Sequence, residues 1–146
     1  MTNQELVDLL QKDLTNERKH LAFYLQASVM VAGLHREELR EFFLSEAKSE
    51  LEHVEQFSEL IVHLGGVPGT TVAEYISDLT CPVAILDYVV KMEQEVADIY
   101  AERLRQTHEM ENSATAYAHV FYEEQILDSQ KTAWEVSKML TKYTHQ

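Results

Sequence analysis

The sequence is poor in what interrupts a helix. Its 146 residues include only four glycines and two prolines, the residues that most disfavour a helix interior. Cysteine occurs once, as Cys81, which excludes an internal disulfide framework and any CxxC metal or redox motif. A lone cysteine suits a reducing compartment, and a cytoplasmic location is expected. No apolar run approaches the roughly 18 residues a membrane span needs. The first residues, MTNQELVDLLQKDL, are acidic and amphipathic, so neither a signal peptide nor a membrane partner is expected. Positive charge is scarce too: 12 Lys and Arg face 25 Asp and Glu, a formal net charge of −13. That balance argues against nucleic acid as the main partner, because phosphates would be repelled. It suits attraction of cations, or simply a solvated acidic surface.

What is present is helical periodicity. Hydrophobic residues make up 45% of the chain, enough for one domain, residues 1–146, with a real core. The first predicted helix runs from Thr2 or Asn3 to about Ala32, with inward positions Leu6, Leu9, Leu10, Leu14, Leu21, Tyr24, Leu25, Ser28 and Val31. Gly33 suits its C-terminal stop. The second runs from Arg36 to Leu64 and turns Phe43, Ala47, Glu50, Val54, Phe57 and Ile61 inward, with Gly65-Gly66 ending it. The stretch GGVPGTTVAEYISDLTCP follows, the only long one of loop composition. The third starts near Pro82, a residue suited to a first helical turn, and ends near Glu111. Asn112 or Ser113 can cap the fourth, which reaches about Tyr143. Two short connections flank one long one. The expected fold is all-α: a four-helix bundle with a long crossover between helices 2 and 3.

Some inward positions are not apolar. Glu17 falls between Leu14 and Leu21, Glu50 between Ala47 and Val54 with His53 three places on, and Glu93 between Val90 and Val96. A lone Glu-x-x-His on an acidic helix is more often a solvated pair, and a lone mid-helix glutamate more often faces water. Three acids and a histidine at comparable depth on different helices make another pattern. Buried carboxylates are costly unless paired or metal-bound, and carboxylate oxygens with an imidazole suit Fe(II), Mn(II) or Zn(II). His20 repeats the spacing after Glu17 and could be an extra ligand, but the stripe from Glu17 to Tyr24 leaves it on a flank, where a surface or edge histidine is expected. Trp134 is expected in a core or an interface. On the fourth helix Glu124, Asp128, Lys131, Glu135 and Lys138 form a stripe facing water, opposite Tyr122, Ile126, Ser129, Ala133, Val136 and Leu140. Glu123 and Gln125 lie on the two flanks of that inward face.

With LTNERKHLAFYL around Glu17, ELEH at 50–53 and these intervals, the chain resembles the ferritin-like superfamily, bacterioferritins most closely. Thirty-three residues separate Glu17 from Glu50 and forty separate His53 from Glu93, as in that family. The resemblance implies a dinuclear iron centre with Glu17, Glu50, His53 and Glu93 as ligands, and Tyr24 as a hydrogen-bond partner of a ligating glutamate. It implies a ferroxidase that oxidises Fe(II) with O2 or H2O2 for iron storage or detoxification. A di-metal oxidase or peroxidase acting on a small molecule is the alternative. A helical interaction module would need Glu17, Glu50 and Glu93 all to face water.

Three departures shape the expectation. The family's second Glu-x-x-His, on the fourth helix, is absent from VFYEEQILDSQKTAWEVSKML. EEQI resembles the fourth-helix segment of non-haem ferritins, which points to Gln125 beside the second metal, with Glu123 as the alternative carboxylate. Leu51 stands where bacterioferritins carry a haem-ligating methionine, so no haem is expected. Only 21 residues follow Gln125, too few for the fifth helix of a 24-subunit shell. A homo-oligomer of the 12-subunit kind found among Dps-type mini-ferritins is favoured.

Overall fold

The computed structural model describes residues 1–108 and 112–144. All regular structure among them is helical: α1 (Asn3–Met30), α2 (Arg36–His63), α3 (Pro82–Gln106) and α4 (Ser113–Thr144). No helix among the described residues is long and apolar enough to cross a membrane. The chain divides into two compact units, Gln4–Ile85, and the part from Leu86 onward with Met1–Asn3.

In the first unit α1 and α2 form an antiparallel hairpin. His53 approaches Glu17, Glu50 approaches His20, and Phe43 meets Tyr24, so rising numbers on one helix meet falling numbers on the other. α1 stops at Met30, two residues before the expected Ala32. The Ala32 N–H bonds to the Thr80 carbonyl at 3.0 Å instead of continuing the helical ladder. Gly33 then turns the chain at φ +103°, a left-handed conformation that glycine adopts without Cβ strain. The Arg36 guanidinium closes the corner by donating to the Val29 and Val31 carbonyls.

The connection after α2 runs back along α1. Gln11 donates to the Val67 carbonyl and accepts from the Gly69 N–H, the Ala73 N–H bonds to the Thr15 carbonyl, Tyr75 packs edge-on against Phe23, and Gln26 donates to the Ser77 carbonyl. These contacts spend the loop's backbone polar groups on α1 and carry the chain to the far end of the hairpin, where α3 begins.

The buried positions of α1 correct the expected stripe. Leu6, Leu10, Asp13, Glu17, His20, Tyr24, Ala27 and Val31 alternate steps of four and three, and all are buried. Leu25, expected inside, is 47% exposed, and Leu9 and Leu21 are half-buried. The leucines lie beside the stripe and pull its apparent centre off the true axis.

The second unit is an antiparallel hairpin of α3 and α4. Gln94 and Gln130 exchange two side-chain hydrogen bonds, the Tyr100 and Tyr122 rings meet tilted with centroids 5.4 Å apart, and Thr107 bonds to His119. α3 ends at Gln106, short of the expected Glu111, which lies outside the described residues. The Thr107 hydroxyl bonds back to the Arg103 carbonyl, and the His108 N–H tightens to Arg105, three residues back. Asn112 caps α4 as expected: its Oδ1 accepts from the N–H groups of Ala114 and Thr115 at 2.9 and 3.0 Å. Trp134 is not a core residue; it is 66% exposed. The predicted wet stripe of α4, Glu124 to Lys138, is exposed throughout.

Candidate metal centre

The α1–α2 hairpin buries Glu17, His20, Glu50 and His53 together. Glu and His three apart lie on one face of a helix, and both helices bury such a pair. His53 Nδ1 lies 3.3 Å from Glu50 Oε2 and 3.5 Å from Glu17 Oε2, and His20 Nδ1 lies 3.7 Å from Glu50 Oε1. Donor atoms of Glu17, Glu50 and His53 all fall within 4.8 Å of one another.

The electrostatics follow from crowding. Burial, and then the neighbouring Glu50 charge, push the Glu17 carboxyl up to about 7. Burial alone would also raise Glu50, but hydrogen bonds from Glu17, His20 and His53 outweigh it and hold Glu50 down to about 2. Burial alone would lower His53; its hydrogen bonds with Glu17 and Glu50 raise it to about 11. Near neutral pH the cluster therefore keeps His53 protonated and Glu17 about half so, because two buried carboxylates ionise together only with enough positive charge beside them. A divalent cation could supply that charge. The donor set fits one: hard oxygens and imidazole nitrogen, converging in a dry site.

Glu17, Glu50 and His53 are thus brought together as the sequence suggested. His20 corrects the reading of its own position, since it is buried beside Glu50 rather than left on a flank. Its signal was present in the sequence: the four-three repeat through Asp13, Glu17, His20 and Tyr24, masked by Leu21 and Leu25. Tyr24 is buried on the same face as Glu17 and packs against Phe23 and Phe43.

In the second unit, Glu93 on α3 is buried, as its place on the stripe implied. The two α4 flanks part company. Gln125 is buried, whereas Glu123 is exposed and pairs with His119 at 3.2 Å. Leu51 is exposed on α2.

The family model of the ferritin-like domain matches residues 7–145. The chain belongs to the ferritin-like family. Its fold is accordingly the ferritin-like four-helix bundle, with the long crossover between α2 and α3. No curated protein matches the chain. A solved ferritin-like, diiron-carboxylate protein from Bacillus anthracis str. Ames shares 28% identity at a TM-score of 0.83, covering 96% of this chain and 99% of that one. A Dps protein from Bacillus brevis has the same fold at 16% identity and a TM-score of 0.85, with the same coverages. The dodecameric thioferritin of Bacteroides fragilis, a bacterioferritin-related protein, is similar at 19% identity and a TM-score of 0.68, over 99% of this chain and 93% of that one.

Proposed function

We propose that this protein is a ferroxidase serving iron storage or detoxification. The observation that carries the reading is the buried Glu17–Glu50–His53 cluster, a donor set too costly to bury for packing alone. Fe(II) is the substrate. Glu17, Glu50 and His53 bind it, with Glu93 and Gln125 as further ligands on the strength of their sequence register and burial. Bound iron supplies one-electron oxidation: two Fe(II) give up one electron each, and O2 or H2O2 takes the pair with two protons. Glu17 and His53 surrender their protons when the cation arrives, which places acid equivalents beside the oxidant. Carboxylate oxygens favour Fe(III) over Fe(II), which lowers the cost of electron loss. Buried Tyr24 stiffens the α1 face that presents Glu17 and is its proposed hydrogen-bond partner.

The whole chain acts as one domain in this reading, in agreement with the span of the family match. A cytoplasmic homo-oligomer of twelve subunits is proposed; the dodecameric state of the Bacteroides fragilis relative supports it. The net charge of −13 attracts the cation.

Anaerobic Fe(II) loading followed by stopped-flow mixing with O2 or H2O2 tests the function. Wild-type protein is expected to show a saturable fast oxidation phase, and Glu50→Ala to lose it. An unsaturable time course, unchanged in Glu50→Ala, would refute the reading.

A further inference from the structure

Glu50 sits between two imidazoles. Its Oε2 faces His53 Nδ1 at 3.3 Å, and its other oxygen, Oε1, faces His20 Nδ1 at 3.7 Å. All three side chains are buried. We propose that His20 is a metal ligand, and that with Glu50 Oε1 it forms the α1–α2 hairpin's contribution to a second metal position. This rests on the ferroxidase reading above and adds to it the residue that holds the second ion.

Four observations carry the assignment. The first is spacing: Glu17-x-x-His20 on α1 repeats Glu50-x-x-His53 on α2, and both histidines are buried. The second is distance. Bonds of about 2.1 Å at angles of roughly 90–125° place two donors on one ion about 3.0–3.7 Å apart. The His53–Glu50, His53–Glu17 and His20–Glu50 separations of 3.3, 3.5 and 3.7 Å all fit that span without rearrangement.

The third is that the two oxygens of Glu50 are divided between the histidines rather than both turned to one. A carboxylate so divided suits a bridge between two ions about 3.5–4 Å apart, the spacing of two-metal sites. The fourth is cost. The position of His20 in the repeat is one an aliphatic residue fills by default, and a buried imidazole there needs polar partners, of which Glu50 Oε1 is one. Coordination to an ion would add a further one.

The sequence lacks a Glu-x-x-His on its fourth helix, and in the structure the second such pair is on the first. The ligand missing from α4 is replaced by one from α1, so both histidines and the bridging acid lie on one hairpin.

The test is an anaerobic Fe(II) titration of the full chain by calorimetry, comparing wild type with His20→Leu and His20→Gln. Leucine suits the core position and glutamine keeps a polar head; far-UV circular dichroism checks that each variant folds. Two ions per chain are expected for wild type and one for both variants, with the surviving site keeping its affinity within about twofold and the other losing at least about 10–100-fold. A histidine that merely steadied Glu50 would weaken both sites and leave the count at two, and that result overturns the assignment. So does a wild-type count of one. No saturable iron in wild type refutes the ferroxidase reading itself, and the assignment with it, whereas two ions in wild type and two in both variants refute only the role of His20. Anomalous scattering from an Fe(II)-soaked crystal decides the case independently of any variant: an iron peak within bonding distance of His20 Nδ1 is expected, and its absence beside an occupied His53 position overturns the proposal.

Discussion

The two hairpins bury polar groups of different kinds. Among the described residues the α1–α2 hairpin buries the polar side chains Asp13, Glu17, His20, Ser28, Glu50 and His53, of which all but Ser28 are ionisable. The α3–α4 hairpin buries Glu93, Thr107, Thr115, Gln125 and Ser129 among the described residues, of which Glu93 alone can carry a charge. Threonine and serine hydroxyls are easily satisfied within a helical hairpin, as Thr107 shows by bonding to both the Arg103 carbonyl and His119. Clustered carboxylates and imidazoles are not satisfied that way, and must share protons or take a cation. The asymmetry teaches that the proposed metal chemistry is built mainly on one hairpin.

If both hairpins are packed alike, removing an aromatic ring should cost each the same. Phe43→Ala, which strips a fully buried partner of Tyr24, and Tyr122→Ala, which strips the partner of Tyr100, are each expected to lower stability by about 3–5 kcal/mol in urea titrations. A loss below about 1 kcal/mol in the second hairpin alone would show that the contrast is one of packing as well as chemistry.

A smaller effect probes the chemical side. Gln125→Glu adds a buried acid to the hairpin in which Glu93 is the one buried acid among the described residues. Without metal it is expected to destabilise the protein by about 1–3 kcal/mol, the cost of a poorly compensated buried carboxyl, with excess Zn(II) or Fe(II) restoring the thermal midpoint. Destabilisation that metal does not relieve would remove Gln125 from the proposed ligand set.

The smallest expected effect concerns neither core nor metal. Asn112→Ala deletes the oxygen that caps α4 and should cost about 1 kcal/mol. Iron stoichiometry should stay unchanged; a fall would mean that the end of the second hairpin is coupled to metal binding.

Much of the α1–α2 site was legible in advance, for a physical reason. Burying an acid is so unfavourable that acids rarely fall on an apolar stripe by chance, which made Glu17, Glu50 and Glu93 stand out. His20 did not, because Leu21 and Leu25 beside it made a neighbouring face look apolar, and leucine tolerates partial exposure at little cost. Glu123 and Gln125 flank the same face about equally, so periodicity could not separate them. The rotation of α4 buries Gln125 and leaves Glu123 outside with His119. Trp134 shows the converse: a core or an interface was expected for it, and the helix turns it away from the core.

Composition and spacing alone determined that this chain is helical, that it breaks into two hairpins joined by a long crossover, and that mid-helix acids recur at one depth. Those properties are local or periodic, and a helix of known pitch converts them directly into faces. Only the tertiary structure decided which oxygen of Glu50 meets which histidine, that α1 supplies the second imidazole, and that the Thr80 carbonyl draws the chain out of α1 two residues early. Each of these depends on how far one element is rotated or slid against another. A shift of a few ångströms there leaves the sequence pattern intact while deciding which donors can share an ion.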